Sequence, residues 1–404
     1  MHEERPTPMD PQTGLPTDWP APDPDALKLS QALTKRLRAR IEDGGPLLFD
    51  AWMESVLYEP GLGYYSAGQE KFGAAGDFIT APLVSPLFAW TLAGQCAEAL
   101  AAVDGDTILE LGPGEGSLAA DILTELDRQG CLPVRYCLLE RSASLRQRQH
   151  ERIAGAVPHL LDRVHWLDTL PETPIDGVIL GNEVLDALPV VRFQRRGDSV
   201  EELAVTTHDG GFGWHVQPAR PAVVDAVTAI EAELGAPLPD GYCSELCLQL
   251  PAFVASLADS LRRGLLLLVD YGYPRSEYYR ADRHQGTLVC YYRHRAHWDP
   301  LVVPGLQDVT AFVDFTAVAE GAHAAGLRIL GYTTQAHFLM GAGVTELLQA
   351  RRGDDPVEQA RLAQQAKTLM LPGAMGERFR VLAAATSEFT GISGFSLYNH
   401  LEQL

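Results

Sequence analysis

Residues 107–111 form a short apolar run, Thr-Ile-Leu-Glu-Leu, that leads directly into the glycine-rich stretch 112–116. After this stretch, Leu118, Ile122 and Leu126 recur at a spacing that gives a helix one apolar face. Glycine lets the backbone turn tightly and approach a ligand closely, and the first turn of a helix offers unpaired N–H groups. The pattern therefore predicts a strand, a ligand-binding loop and a helix in direct succession.

The spacing of the loop glycines narrows the choice of ligand. Gly112, Gly114 and Gly116 form a Gly-x-Gly-x-Gly pattern, whereas dinucleotide-binding enzymes usually show Gly-x-Gly-x-x-Gly. Glu110, at the end of the strand, would repel a phosphate but would suit a cationic ligand such as S-adenosylmethionine. These four residues are therefore candidate cofactor-binding residues, and the alternative is a structural turn beside a solvent-facing glutamate.

Apolar runs alternate with helical patterns along most of the chain. The runs cover residues 107–111, 136–140, 164–167, 177–181, 264–270, 328–333 and 379–385. Continuous apolar strands separated by helices are typical of a parallel sheet that is covered on both faces. Residues 191–216 predict an inserted antiparallel ribbon, and residues 246–262 and 344–369 predict helical segments.

Two further acids follow predicted strands. Glu140 ends the second strand, where a carboxylate can accept hydrogen bonds from both ribose hydroxyls of a nucleoside cofactor. Asp168 follows the third strand, where an adenine would lie. A helix cap explains Glu140 equally well, and a loop acid explains Asp168 equally well.

A polar segment, Asn182-Glu-Val-Leu-Asp-Ala-Leu-Pro189, follows the fourth strand. Polar groups at the carboxyl end of a central strand face the crevice in which open α/β sheets bind ligands. Asn182 and Glu183 would lie nearest the reactive methyl group, and the Glu183 and Asp186 carboxylates could hold an arginine guanidinium by bidentate hydrogen bonds, so these three are candidate catalytic residues for methyl transfer to arginine. A structural turn explains the segment as an alternative, and an acid favoured at a helix N-terminus explains Asp186 equally well. Glu245 is a weaker candidate, because a position near a helix N-terminus also explains it.

The composition is that of a globular protein: 46% of the 404 residues are hydrophobic and 21% are charged. Lys and Arg number 32 against 53 Asp and Glu, a net charge of −21 that argues against a nucleic-acid partner. The sequence contains no apolar run long enough for a membrane span, and the first 25 residues predict a disordered, acidic and Pro-rich tail. The six cysteines form no metal-binding pattern, and we expect a cytoplasmic protein.

Several stretches together resemble one family, the MidA-like S-adenosylmethionine-dependent methyltransferases. This group includes the mitochondrial complex I assembly protein arginine methyltransferase. The matching stretches are 58–65, 76–82, 110–116, 182–189, 270–272, 286–288, 314–316, 334–335 and 375–379. The glycine loop alone is shared by many methyltransferases, whereas Gly76–Pro82 and Asn182–Pro189 together are far more specific.

The resemblance implies a Rossmann-like class I methyltransferase core, with a mostly parallel seven-stranded sheet, a helical N-terminal cap, and inserted β-ribbon and helical segments. It also implies that Asp77, Phe78 and Thr80 belong to a lid over S-adenosylmethionine, which leaves as S-adenosylhomocysteine. The implied partner is a protein with an accessible arginine, in a role like respiratory complex assembly, and a homodimer is left open. A non-catalytic binding protein, a small-molecule methyltransferase and a nicotinamide-dependent dehydrogenase are the alternatives.

Three positions depart from the family pattern: Leu83 replaces a common Glu, Ala89 a common Gly, and Phe312 a common His. A change of substrate is one interpretation of these departures. On this view the chain divides into seven parts, which are a tail, a cap with lid, the first core half, an insertion, the second core half, a helical insertion and a last strand. Their expected ranges are 1–25, 26–104, 105–190, 191–240, 241–335, 336–376 and 377–404.

Overall fold

The structure is a computed structural model that describes residues 9–10, 13–67, 80–351 and 355–404. Its contacts group the chain into two compact units, each built from three stretches of sequence. The first unit comprises Met1–Phe78, Ala187–Leu248 and Tyr279–Ala311, and the second comprises Ile79–Asp186, Gln249–Tyr278 and Phe312–Leu404. The finer seven-part division stays a prediction.

Helices and strands alternate through most of the described sequence. The helices are α1 (Pro24–Gly44), α2 (Phe49–Tyr58), α3 (Ala81–Val84), α4 (Pro86–Val103), α5 (Ser117–Gln129), α6 (Ala143–Ala156), α7 (Pro221–Leu234), α8 (Leu250–Asp259), α9 (Arg275–Tyr278), α10 (Phe315–Ala324), α11 (Gln335–Gly341), α12 (Val344–Ala350) and α13 (Pro356–Met370). The strands are β1 (Leu47–Leu48), β2 (Thr107–Leu111), β3 (Arg135–Leu139), β4 (Val164–Leu167), β5 (Ile175–Asn182), β6 (Val191–Arg196), β7 (Ser199–His208), β8 (Gly211–Pro218), β9 (Cys243–Leu246), β10 (Leu261–Tyr273), β11 (Val289–Tyr292), β12 (Arg295–His297), β13 (Asp308–Thr310), β14 (Val313–Asp314), β15 (Arg328–Thr334) and β16 (Phe379–Ala385).

The second unit is built around one mostly parallel sheet with the strand order β15-β16-β10-β5-β2-β3-β4. Strands β10, β5, β2, β3 and β4 pair in parallel, and β16 runs antiparallel to both of its neighbours. The two-residue strand β14 also pairs with β10 in parallel. The predicted α/β fold with a mostly parallel sheet is therefore confirmed.

The middle of β10 explains why this sheet needs helices on both faces. Leu265 and Leu267 point to one face and Leu266 and Leu268 to the other, since side chains alternate along a strand. All four are fully buried. On one face, Leu265 and Leu267 share a core with residues of α4 and α5 such as Leu92.

The first unit contains two smaller sheets. Strands β1, β7, β6 and β9 form one path, to which β8 adds by pairing with β7, and β12-β11-β13 form the other sheet. The ribbon predicted between residues 191 and 216 is confirmed as β6 to β8. Residues of α1 and α2, including Leu37 and Trp52, share a core with Val205 of β7 and Val309 of β13.

Two local expectations were wrong. Residues 246–262 do not form one helix, because Cys243–Leu246 pairs with β6 as a buried strand and α8 begins only at Leu250. Pro251 lies in the first turn of α8, where its fixed φ favours helix initiation. Part of the N-terminal segment that was expected to be disordered is packed, since Leu15 is buried and Trp19 stacks on Tyr292.

The candidate cofactor site and acidic turn

The glycine loop has a backbone that glycine adopts most readily. Gly112, Gly114 and Gly116 have φ angles of 55°, 52° and 80°, in the left-handed region that costs other residues free energy. A Cβ atom on Gly112 would lie 3.0 Å from Cγ1 of Val184, and that crowding also favours glycine. The loop joins β2 to α5, as the sequence predicts.

Glu140 directly follows β3, and its carboxylate is held from two sides. Oε1 accepts from the Ser142 backbone N–H at 2.7 Å, and Oε2 accepts from the Gln149 side chain at 3.2 Å. Burial raises the pKa of Glu140, while these hydrogen bonds act in the opposite direction. The carboxylate is therefore fixed at the end of the strand, and its predicted contact with a ribose stays a prediction.

Asp168 lies in a different environment. Its side chain is 78% exposed and pairs with Arg146 at 2.8 Å. Its predicted contact with an adenine stays a prediction.

Glu110 lies inside the unit rather than on its surface, with only 2% of the residue exposed. Its Oε2 accepts from the Tyr136 hydroxyl at 2.6 Å. Burial raises the pKa of Glu110 to about 7, and the hydrogen bond from Tyr136 lowers it. The alternative of a solvent-facing glutamate is therefore wrong.

Asn182 and Glu183 form the start of an acidic turn, which we define as residues 182–186. Asn182 ends β5 and donates from Nδ2 to Oε1 of Glu183 at 3.0 Å. Glu183 has a φ of 54°, a left-handed conformation that is uncommon for a residue with a side chain. Such strain is found at functional sites when the surrounding structure enforces it.

Asp270 enforces that turn. Its Oδ2 accepts from the backbone N–H groups of Val184, Leu185 and Asp186 at 3.1, 2.8 and 3.3 Å. The residue is fully buried, and burial raises its pKa to about 7 against the effect of these donors. Asp186 is itself only 6% exposed. In the sequence, Asp270 is the first residue of the family stretch 270–272, and its position at the end of an apolar strand was the available signal for a functional role.

Of the predicted lid, Asp77 and Phe78 lie outside the described residues. Thr80 immediately precedes α3, and its side chain makes no capping hydrogen bond there.

Two of the positions that depart from the family pattern are Ala89 and Phe312. Ala89 is buried in α4. The Phe312 ring packs near the rings of Tyr271 and Tyr273, at 6.0 and 5.6 Å between centroids.

Glu245 belongs to the first unit and has a partner of its own. It lies fully buried on β9, not near a helix N-terminus as the sequence suggested. Its Oε2 accepts from the Thr287 backbone N–H at 2.7 Å, and its Oε1 lies 3.6 Å from Nε of Arg192.

The second unit also contains a polar cavity of about 490 Å³ beside the ends of β10 and β15. Its lining comprises Tyr273, Glu277, Tyr332, Thr333, Thr334, Gly373, Glu377, Arg378, Arg380, His400 and Gln403. Two glutamates and two arginines balance in charge, so the lining does not by itself indicate a cationic ligand.

The sheet brings three of the predicted segments together. Strands β3, β2 and β5 are parallel neighbours, so the segments that follow them lie at one edge of the sheet. Those segments are Glu140, the glycine loop and the acidic turn. A close-approach loop flanked by a fixed carboxylate fits an adenosyl cofactor that carries positive charge.

The chain is similar in sequence to known proteins. A family model described as an S-adenosyl-L-methionine-dependent methyltransferase matches residues 91–333. The mitochondrial protein arginine methyltransferase NDUFAF7 of Danio rerio is 30% identical, covering 87% of this chain and 86% of that protein. The homologue of Drosophila melanogaster is 29% identical, covering 92% of this chain and 90% of that protein.

A solved structure resembles the whole chain more closely. A Burkholderia thailandensis protein bound to S-adenosyl-homocysteine has a TM-score of 0.91 and 41% identity, covering 96% of this chain and all of that chain. These similarities favour neither a dehydrogenase nor a non-catalytic binding protein. The chain belongs to the S-adenosylmethionine-dependent methyltransferase family whose model it matches, and it has the class I methyltransferase fold.

Proposed function

We propose that this methyltransferase modifies an arginine side chain of a protein partner. The observation that carries the proposal is the acidic turn at the edge of the sheet, in which Glu183 is held in a strained conformation beside Asn182. A carboxylate and an amide oxygen are suitable acceptors for a guanidinium. The names of the curated relatives, protein arginine methyltransferases at about 30% identity, support the same acceptor.

The glycine loop and Glu140 form the cofactor half of the proposed site. When bound, S-adenosylmethionine supplies an electrophilic methyl group. Gly112, Gly114 and Gly116 let the backbone approach it closely, and Glu140 accepts hydrogen bonds from its ribose. We assign Glu110, on β2 directly before the glycine loop, to the same cofactor half. We assign Asp168 to its adenine end, and Asp77, Phe78 and Thr80 to a lid.

The acidic turn forms the acceptor half. Glu183 holds the guanidinium and takes the proton that the attacking nitrogen loses, while Asn182 steadies the Glu183 carboxylate through its 3.0 Å hydrogen bond. Asn182 Oδ1 is buried and accepts no hydrogen bond from the described residues, so it is available for a donor brought by the ligand. Asp186, the last residue of the acidic turn, adds a second carboxyl group to it. Orientation of the nucleophile and exclusion of water supply most of what methyl transfer needs.

Several finer expectations complete the proposal. The net charge of −21 disfavours a nucleic-acid partner and is compatible with a basic protein segment. No helix in the described part of the chain is long and apolar enough to span a membrane. A homodimer, a cytoplasmic location and a role like respiratory complex assembly stay predictions, and the curated relatives are named as mitochondrial proteins.

The proposal is tested with S-adenosylmethionine that carries an isotopically labelled methyl group. Purified protein and this cofactor are added to an extract of cells that lack the protein, and labelled peptides are sequenced by mass spectrometry. We expect the label on arginine, as one or two methyl groups. Label on another side chain or on a small molecule would contradict the arginine assignment, and no label at all would contradict the acceptor proposal.

A further inference from the structure

Gln149 on α6 is a buried residue whose side chain connects three segments of the proposed cofactor site. Its Nε2 donates to the Gly114 carbonyl at 2.7 Å and to Oε2 of Glu140 at 3.2 Å. Its Oε1 accepts from the indole N–H of Trp166 at 2.9 Å. The residue has no exposed surface, so both amide hydrogens and the amide oxygen are used inside the protein.

The glycine loop is shaped to accept this helix. A Cβ atom on Gly116 would lie 3.0 Å from the Gln149 Cα and 3.2 Å from its Cβ. Gly116 also has a φ of 80°. The close approach of α6 to the loop therefore depends on both residues, and it brings the amide of Gln149 to the loop carbonyl.

We propose that Gln149 is a positioning residue of the cofactor site, which fixes the glycine loop, the Glu140 carboxylate and the end of β4 relative to one another. This inference rests on the proposed cofactor half, but it assigns a residue that the sequence did not indicate. Gln149 acts through Glu140 and Gly114 and does not itself have to touch the cofactor.

The hydrogen-bond pattern explains why an amide is needed at this position. Gly114 and Glu140 offer acceptors, while Trp166 offers a donor. A glutamine satisfies all three at once. An ionised glutamate would satisfy only Trp166 and would place a second carboxylate against Glu140, so one of the two would hold a proton more tightly.

Other charged and titratable groups surround the cluster and are shared by every variant below. They are Arg146, which donates to the Glu140 carbonyl and pairs with Asp168; Arg148 and Arg152, which pair with Glu115; and His150, whose ring lies 5.8 Å from that of Trp166. Gln149→Met leaves the charges of this cluster as they are in the wild type, so it separates the loss of the amide from the effect of an added carboxylate.

The test measures the affinity of the full-length protein for S-adenosylhomocysteine by calorimetry at about pH 6.5 and about pH 8.5, on either side of the range in which a paired carboxylate titrates. The variants are Gln149→Glu and Gln149→Met, with Gln147→Glu as the matched control. Gln147 is exposed on the same helix and bonds only Glu151 among the described residues, so its substitution adds the same charge without touching the cluster.

We expect Gln149→Glu to bind about tenfold or more weakly at the higher pH, since it loses hydrogen bonds that involve a charged group. Its affinity should recover in part at the lower pH, where the protonated side chain donates again. Gln149→Met should bind weakly at both pH values, and Gln147→Glu should bind like the wild type.

Wild-type affinity in both Gln149 variants would overturn the inference. So would an equal loss in both variants at both pH values, or loss of folding in both, because each would indicate a general structural role. If the wild type itself fails to bind S-adenosylhomocysteine, the proposed cofactor half fails and this inference fails with it.

Discussion

The backbone N–H of Leu185 donates to Oδ2 of Asp270 across 2.8 Å, and this contact joins two segments that lie 85 residues apart in the sequence. With the neighbouring N–H groups of Val184 and Asp186, it makes one carboxylate oxygen the anchor of the acidic turn. Glu183, with its left-handed backbone, lies directly before this anchor, and its own N–H donates to the Val269 carbonyl at 2.9 Å.

Asp270→Asn should therefore disturb the turn. The amide presents an N–H₂ group where the carboxylate presents an acceptor, so either the turn or the Tyr271 N–H loses its partner. We expect a loss of stability of about 1–3 kcal/mol, the cost of leaving buried donors unsatisfied, together with slower methyl transfer. Urea unfolding and turnover measure the two effects, and the exposed Asp259→Asn on α8 is the control. Unchanged stability and turnover in Asp270→Asn would show that the anchor is dispensable.

Glu110 predicts a pH dependence of stability. Burial raises its pKa from 4.5 to about 7, so the folded chain binds this proton more tightly than the unfolded chain does. The free energy of unfolding should then fall as pH rises between these two values, because ionisation of the buried carboxyl is unfavourable. Glu110→Gln removes the ionisation and should be more stable than the wild type above pH 7, by up to roughly 3 kcal/mol.

Thermal unfolding across this pH range checks the prediction. Glu172→Gln, at an exposed loop position, is the control and should leave the pH profile unchanged. A stability difference between Glu110→Gln and the wild type that does not vary with pH would be inconsistent with a raised pKa. The assignment of Glu110 to the cofactor site adds a separate expectation, weaker binding of S-adenosylmethionine by the same variant.

The glycine loop is tested by a matched pair of substitutions. Gly114 and Gly130 both have left-handed backbones, with φ of 52° and 71°, so valine adds strain at both positions. A Cβ at Gly130 meets nothing within 4 Å, at the exposed C-terminus of α5. We expect Gly114→Val to abolish binding of S-adenosylhomocysteine and Gly130→Val to keep it. Equal affinities in the two variants would remove the loop from the site.

The fold could be predicted from the sequence where local patterns determine it. Strands β2, β4 and β16 have the bounds that the apolar runs of the sequence predict. Strand β9 was missed because its four residues form no local pattern distinct from the helix that follows, and only pairing with β6 defines it.

The sequence predicts the segments proposed to contact the ligand, but it does not predict the buried residues that hold those segments in place. Glycines and acids after strands indicated the loop, Glu140 and the acidic turn. The role of Asp270 depends on contacts with residues far away in the sequence, which no spacing rule reveals. Gln149 likewise looks no different from Gln147 in a polar helix until the fold brings it to Gly114 and Trp166.

The most direct test of the division into a cofactor half and an acceptor half is Glu183→Gln. Affinity for S-adenosylhomocysteine and the rate of methyl transfer to arginine are measured on the same preparation, with Glu172→Gln as the control. Because Glu183 is proposed to serve the guanidinium and its proton, we expect transfer to be lost while the affinity stays close to that of the wild type. Normal turnover in Glu183→Gln, or a loss of cofactor affinity that accounts for the loss of transfer, would contradict the account.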